Sequence, residues 1–521
     1  MNHLQQIAEQ IAARGTRRVF GIPGSGPSLT LLDALEKRGV QFHTTHFEGS
    51  AALMAGAVGR LGGSSGVAVS IKGPGLTNLL PGLAACCLEG FPVVSISEAY
   101  PPGAPPHLSH KRLDHVALLS AVAKGHYFLG KDGPHFGQLA QQAEAEPPGV
   151  VHLDIAAEPV EAPAAGDREG PRPTAGGDWR SLLALAAGAH KPIVIAGTLA
   201  VRRGIAAALN ALTIPVFSTA AAKGAVNERL PQAAGVFTGA GGPLVPESVL
   251  LPEADLVVGI GLRHNEVLAA KPFPCPAVNI DPLGETLCTG FAFRHSAAGT
   301  GDLMQELFAL LGAKNWGLER LRGCQETLAQ RMMAQADFLP AHVYTALAVR
   351  LGGSARLVLD TGNFCTIGEH AWQVSAPGLY LAAGQGRYMG VGLPLAVGAA
   401  LHDAAVPTVV FCGDGGIGMF IAEIKLAVEH RLPLVVVLMS DGHLGTIRQS
   451  ALEKRLTCRP AAIARPSWLA AFEGLGVPGA RVESVPALDT VIASWGMESG
   501  PMFIEAVFDP DDYQRMTKGI R

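Results

Sequence analysis

Short apolar runs of strand length, separated by stretches with helical spacing, recur along the whole chain. That alternation restricts the fold to parallel sheets covered by helices on both faces, because parallel neighbours need a crossover and the crossover helix packs on the sheet. The runs fall in three blocks: 18–21, 66–71, 93–97 and 150–155; then 192–196, 214–218, 256–260 and 277–280; then 357–360, 408–411, 434–439 and 502–507. The stretch from Ala156 to Asp178, rich in Pro, Gly, Ala and charge, reads as an exposed connection. A helical stretch over 303–336 leads into the last block. The expectation is three doubly wound α/β domains in a row, over residues 1–165, 178–312 and 338–521.

Composition narrows the function classes. A chain of 521 residues, 48% apolar and 16% charged, has ample material for about three buried cores and none of the character of a disordered chain. The net charge of −4 and the absence of any Lys/Arg run exclude a nucleic-acid partner. The longest apolar runs are far too short for a bilayer, so no membrane association is expected. Leu4, Ile7, Ala8 and Ile11 make one face of a soluble helix and not a signal peptide. The eight cysteines hold no Cys-x-x-Cys pair and read as core thiols of a cytoplasmic protein. His43 with His46, and His107 with His110, lack a third ligand at metal-binding spacing and read as surface or cavity histidines. Gly24-Ser25-Gly26 does not meet the dinucleotide fingerprint.

Residues 407–448 carry the most chemistry. An apolar strand ends in Gly413-Asp414-Gly415-Gly416, a helix follows, and a second apolar strand ends in Ser440-Asp441-Gly442-His443-Leu444-Gly445. The crossover puts both turns at the carboxyl edge of one sheet, where ligands bind. Asp414 and Asp441 offer hard oxygen ligands, and the glycines let backbone N–H groups approach a phosphate. The pair suits Mg²⁺ shared with a diphosphate. Alone, Gly-Asp-Gly is more often only a tight turn; the second acidic turn on the neighbouring strand is what argues for a site.

This segment resembles the diphosphate-binding motif of thiamine diphosphate (ThDP) enzymes. In that family Gly-Asp-Gly is followed by paired asparagines; here Ser440-Asp441 replaces them. The resemblance implies Mg²⁺ ligands at Asp414, Asp441 and the His443 carbonyl. Glu48 in Thr45-His46-Phe47-Glu48-Gly49, with Lys72-Gly73-Pro74-Gly75-Leu76-Thr77-Asn78, is similar to the pyrimidine-binding domain of acetolactate synthase-like enzymes. Glu48 falls on the family's activating glutamate, a half-buried carboxyl that hydrogen-bonds the pyrimidine and promotes loss of the thiazolium proton. By itself Glu48 reads as a helix N-terminal charge. Gly384 to Pro394 resembles the segment whose bulky residue props the cofactor into a bent shape, a role that falls on Met389. Asp360-Thr361-Gly362-Asn363 is similar to the strand-end turn near the diphosphate.

The three blocks thus correspond to pyrimidine-binding, central and diphosphate-binding domains. The implied cofactor contacts are Glu48, Pro74, Asn78, Gly362, Asn363, Arg387, Met389, Gly413, Asp414, Gly415, Gly416, Asp441, Leu444 and Gly445. FAD is not expected, because Gly261-Leu262-Arg263-His264 offers nothing specific for it. Phe47 stands for the family's usual His, and Lys72 for a small residue. Lys111, beside His110, stands for a Gln. Lys72, His110, Lys111 and Arg387 are therefore candidate substrate contacts, with Lys111 also a candidate catalytic residue. Together they imply a 2-keto acid carrying a further anionic group. The expected reaction is 2-keto acid decarboxylation followed by carboligation to an acceptor. The alternatives are simple decarboxylation, C–C cleavage of a diketone, and a ThDP-binding relative without catalysis. In the family Glu48 of one subunit faces the Mg²⁺ site of another, which implies a homodimer as the minimal unit and a homotetramer as the assembly.

Overall fold

The computed structural model describes residues 2–105, 107–130, 135–159, 177–283, 290–299, 301–351, 353–464 and 466–520. Most of the connection expected over 156–178 lies outside them. The described strands form three six-stranded sheets, all parallel. In the first, β1 (Arg18–Gly21), β2 (Gln41–Thr44), β3 (Gly66–Ser70), β4 (Val93–Glu98), β5 (Ala123–Phe128) and β6 (Val150–Ile155) lie in the order β2-β1-β3-β4-β6-β5. The second holds β7 (Pro192–Ala196), β8 (Val216–Thr219), β9 (Ala233–Phe237), β10 (Leu256–Ile260), β11 (Ala277–Ile280) and β12 (His295–Ala297), in the order β12-β11-β10-β7-β8-β9. The third holds β13 (Arg356–Leu359), β14 (Tyr380–Ala382), β15 (Thr408–Gly413), β16 (Leu434–Ser440), β17 (Gly479–Val482) and β18 (Met502–Val507), in the order β14-β13-β15-β16-β18-β17. Counted from its own first strand, the third sheet repeats the order of the first.

The α/β class and the parallel sheets match the sequence expectation. The strands not foreseen are the two edge strands of every sheet: β2 and β5, β9 and β12, β14 and β17. Inner strands are buried on both faces and read as unbroken apolar runs, whereas β2, β5, β12 and β17 leave much of their length partly exposed and carry polar residues. The stretch 303–336 is two helices, Gly301–Gly312 and Leu318–Met333, separated where Gly317 adopts a left-handed φ of 76°. The N-terminal helix, His3–Ala13, buries Leu4, Ile7, Ala8 and Ile11 as its spacing requires. Among the described residues no helix is long and apolar enough to cross a membrane.

The first and third sheets share one core. Helix Glu48–Gly62 packs against helix Pro74–Glu89 and helix Gly392–His402, and Ala52, Leu53, Leu83, Leu395, Ala399 and Val436 are buried in one cluster. The crossings are close because small residues line them. A Cβ on Gly82 would stand 2.1 Å from the Gly49 carbonyl, and one on Gly398 2.7 Å from the Met54 backbone. Arg263 ties the central block to the first, with contacts of 2.6 Å to Glu146 and 2.9 Å to Asp281.

Two buried carboxyls clamp the segment from Gly384 to Gly390. Glu89, at the end of helix Pro74–Glu89, accepts from the backbone N–H of Gln385 (3.0 Å) and Gly386 (2.7 Å). Asp360, at the end of β13, accepts from the N–H of Gly390 (2.9 Å) and of Thr361 (2.7 Å). Burial pushes both carboxyls up to about 7, against these donors. A folded-state value above the unfolded one means that the folded chain holds a proton the unfolded chain has released. The resulting stability is complete below the ordinary carboxylate range and is lost as pH rises through about 7. Glu89→Gln keeps a carbonyl oxygen for the same amides and removes the titration. The Tm of the wild type should fall between pH 5 and pH 8. In the variant that fall should shrink by at least about 2–4 °C, the equivalent of about 1 kcal/mol in a domain of this size. Thermal melts at the two pH values check it, and parallel falls in both proteins would refute the assignment.

Candidate active site

Both outer sheets bring their candidate residues to the carboxyl ends of the strands, where helices begin and backbone N–H groups are available. In the third sheet β15 and β16 run side by side, with Gly413 opposite Met439. Asp414 therefore meets the turn after β16. Its Oδ1 accepts from Ser440 Oγ at 2.9 Å, and its Oδ2 accepts from the N–H groups of Asp441 and Gly442, each at 2.9 Å. Asp441 Oδ1 accepts from the His443 N–H at 3.0 Å, and the His443 ring Nδ1 donates to the Asp441 carbonyl at 2.9 Å. The second turn is wrapped on Asp414, and the hydroxyl of Ser440 is one of its fasteners. Both aspartates are buried.

The backbone around them leaves no room for side chains. A Cβ on Gly416 would stand 2.3 Å from Asp360 Oδ2. One on Gly415 would stand 2.7 Å from Leu444 and 3.4 Å from Met389 Sδ, and one on Gly445 2.7 Å from Asn363 Nδ2. Asn363 Oδ1 accepts from Thr446 Oγ1 at 2.6 Å. Gly362 precedes the helix Asn363–Ala371. Among the described residues Thr361 Oγ1 is buried without a hydrogen-bond partner. Two adjacent carboxylates, a glycine-lined backbone and an orphaned hydroxyl fit a divalent cation with a diphosphate. Met389 stands at the rim, 39% exposed.

The first sheet places Glu48, buried, at the start of helix Glu48–Gly62. Asn78 Nδ2 donates to Glu48 Oε2 at 3.1 Å, and a Cβ on Gly75 would stand 3.4 Å from Glu48 Oε1. Pro74 opens the helix that carries both. The helix start is also held from the third block: Glu423 accepts from the backbone N–H groups of His46 and Phe47, each at 3.0 Å. Burial pushes the Glu423 carboxyl up, opposed by these donors. Phe47 stacks on Phe420 with ring centroids 5.8 Å apart, which gives the apolar residue at this position a packing partner.

Beyond Gly73 opens a cavity of about 590 Å³ lined by Lys72, Tyr100, Lys111 and Arg112, with His115, His126 and Asp154 also on its walls. Lys72 Nζ lies 3.7 Å from Glu98 Oε2 and 5.2 Å from the Tyr100 ring. Lys111 has a left-handed φ of 58°, and its carbonyl would be 2.2 Å from a Cβ on Gly73. His110 is exposed, and its carbonyl accepts from Tyr100 Oη at 3.1 Å. Arg387 does not line this cavity within the chain; its guanidinium lies 4.0 Å from Glu369. Lys72 and Lys111 are thus brought together, and Arg387 is held apart from them.

Sequence reasoning missed Glu89, Glu423, Glu98 and the histidines around Asp154. The carboxylates act across long separations and leave no local signal. His152 and Asp154 did leave one, since residues two apart on a strand face the same side.

Comparison with known proteins agrees with the three α/β blocks. The family models described as the N-terminal TPP binding domain, the central domain and the C-terminal TPP binding domain of thiamine pyrophosphate enzymes match residues 1–118, 180–289 and 360–506. The catabolic acetolactate synthase of Raoultella terrigena is 26% identical over 98% of this chain and 94% of its own. A probable 2-ketoarginine decarboxylase of Pseudomonas aeruginosa is 28% identical over 86% of this chain and 83% of its own. A probable acetolactate synthase large subunit of Methanococcus aeolicus is 22% identical over 98% of this chain and 92% of its own. This chain belongs to the thiamine pyrophosphate enzymes, in the acetolactate synthase-like family that acts on 2-keto acids.

Proposed function

We propose that this protein is a Mg²⁺- and ThDP-dependent enzyme that decarboxylates a 2-keto acid bearing a second anionic group and ligates the product to an acceptor carbonyl. The observation that carries the substrate reading is the cavity beside Gly73, where Lys72, Lys111 and Arg112 gather next to the turn that packs on Glu48. Lys111, exposed in the cavity, and Lys72, held beside it by Glu98, offer an anionic occupant charge-assisted contacts. Acetolactate synthases and a 2-ketoarginine decarboxylase among the relatives support 2-keto acid chemistry.

ThDP, when bound, supplies the electron sink for loss of CO₂. Asp414, Asp441 and the His443 carbonyl would hold Mg²⁺, with the N–H groups of Gly415 and Gly445 toward the diphosphate, while the Gly416 N–H closes the turn on the Gly413 carbonyl at 3.0 Å. Glu48, fixed by Asn78 and by the helix start, would hold the proton shared with the pyrimidine ring. Met389 would supply an apolar contact to the cofactor. Lys72 and Lys111 bind and orient the carboxylates of the substrate. The working unit is a homodimer assembled into a homotetramer in the cytoplasm. Support for association comes from apolar side chains left exposed on a single chain, with Met419 at 51% and Ile447 at 55% near the third-sheet site and Val116 at 53% near the cavity.

Glu48→Gln should retain ThDP binding and slow proton exchange at the cofactor's C2 by about a hundredfold or more, the scale of general acid–base catalysis. Near-normal exchange in the variant would remove Glu48 from this role. For the metal, Asp414→Ala should abolish Mg²⁺-dependent ThDP binding, whereas Asp441→Asn should bind as well as the wild type or better. Calorimetric titration of both variants tests this, and loss of binding in Asp441→Asn would mean that the second carboxylate is required. Lys111→Gln should raise the KM for dianionic keto acids by about ten- to a hundredfold, the effect of one lost charge-assisted contact, and leave pyruvate unaffected. Equal turnover of both substrate classes, unchanged in the variant, would refute the anionic-substrate reading. Product analysis with and without an aldehyde acceptor separates carboligation from simple decarboxylation.

A further inference from the structure

Three histidines surround one buried carboxylate behind the cavity. Asp154 Oδ1 is 2.7 Å from His115 Nδ1 and 3.1 Å from His152 Nε2, and Asp154 Oδ2 is 2.7 Å from His126 Nε2. Ser95 Oγ is 2.7 Å from His152 Nδ1. Burial would raise the Asp154 carboxyl, but the three imidazole contacts outweigh it and hold the group well below the usual carboxylate range. The cluster is therefore an anion encircled by N–H donors.

The tautomer of His115 follows from its other nitrogen. The backbone N–H of Gly73 points at His115 Nε2, 3.4 Å away, and an amide N–H can only donate. Nε2 must then accept, which puts the ring proton on Nδ1, facing Asp154. Gly73 is no ordinary residue. It is the N-cap of helix Pro74–Glu89 with φ 63°, and its Cα is pressed against the Lys111 carbonyl. Just beyond it, Asn78 donates to Glu48, and a Cβ on Gly75 would stand 3.4 Å from Glu48 Oε1.

We propose that His115 is a positioning residue: locked by Asp154 as the Nδ1–H tautomer, it holds the Gly73 amide and so sets where the Gly73–Asn78 turn stands against Glu48. The link to catalysis rests on the role proposed for Glu48; the link to the turn does not. A metal ion in the cluster would need the lone pair of His115 Nδ1. That would move the proton to Nε2 and set two N–H groups against each other at Gly73. The contact with Gly73 thus favours a hydrogen-bonded cluster over the metal centre that His115, His152 and Asp154 would otherwise suggest.

Two variants separate positioning from mere support. His115→Asn keeps a donor near Nδ1 for Asp154 and loses the reach to Gly73. His115→Gln keeps an acceptor at the reach of Nε2. Hydrogen–deuterium exchange of the 73–78 segment, measured without cofactor, should quicken about three- to tenfold in His115→Asn, the worth of one hydrogen bond, and stay near wild type in His115→Gln. ¹⁵N NMR of the wild-type ring should report protonated Nδ1 and bare Nε2. In the ThDP-loaded enzyme, C2 proton exchange should slow in His115→Asn by a similar factor, with KM little changed, and recover in His115→Gln. Equal behaviour of the two variants in segment exchange, the opposite tautomer, or one equivalent of zinc per purified chain would each overturn the positioning role. Altered segment exchange with unaltered C2 exchange would keep the positioning of the turn and overturn its link to catalysis, while the role of Glu48 itself is decided by Glu48→Gln.

Discussion

The helix Glu48–Gly62 is where the two outer sheets become one body. It is lined by small residues, so helices from both blocks approach its backbone, and the apolar side chains around it are shared between sheets. Dense packing of this kind transmits position with little slack. The helix start is further tied by Glu423, a carboxylate from the third block that accepts two of the N–H groups preceding the helix. The candidate acid–base group and the candidate metal loop therefore cannot move independently within the chain. Glu423 stands nine residues beyond Asp414, on the same strand-to-helix connection.

The first and third sheets have the same strand order, and their candidate residues lie at matching places. The turns after β15 and β16 present Asp414 and Asp441. The turns after β3 and β4 present Lys72-Gly73-Pro74 and, just past Glu98, Tyr100. One topology thus presents a pair of aspartates at one edge and Lys72 beside Glu98 at the other. The difference lies in a few side chains at the switch point, while the strands behind them remain plain apolar core.

The sequence was legible where chemistry is local. Asp414, Ser440 and Asp441 sit on consecutive strands of one crossover, and their turns can be read together. Inner strands such as Leu434–Ser440 announce themselves by unbroken apolar character. The edge strands do not: Gln41–Thr44 and Gly479–Val482 are partly solvated, and tertiary pairing, not side-chain pattern, makes them strands. The partners of the site were equally hidden. Glu89 meets Gln385 and Glu423 meets His46 across hundreds of residues, so nothing near either glutamate foretells it. Arg387 shows the reverse case, a residue whose place in the motif suggested the substrate but whose side chain lies toward Glu369.

The segment from Gly384 to Gly390 is gripped at one end by a carboxyl from the first block and at the other by one from the third. Met389 rides on a span with both feet fixed. A free loop would have to be ordered before an apolar side chain on it could press against a ligand, and that ordering subtracts from affinity. Here the loss of conformational entropy has already occurred on folding. Contact with Met389 then costs the ordering of its own side chain but not of the backbone that carries it, and the rim of the site is an anvil instead of a closing flap.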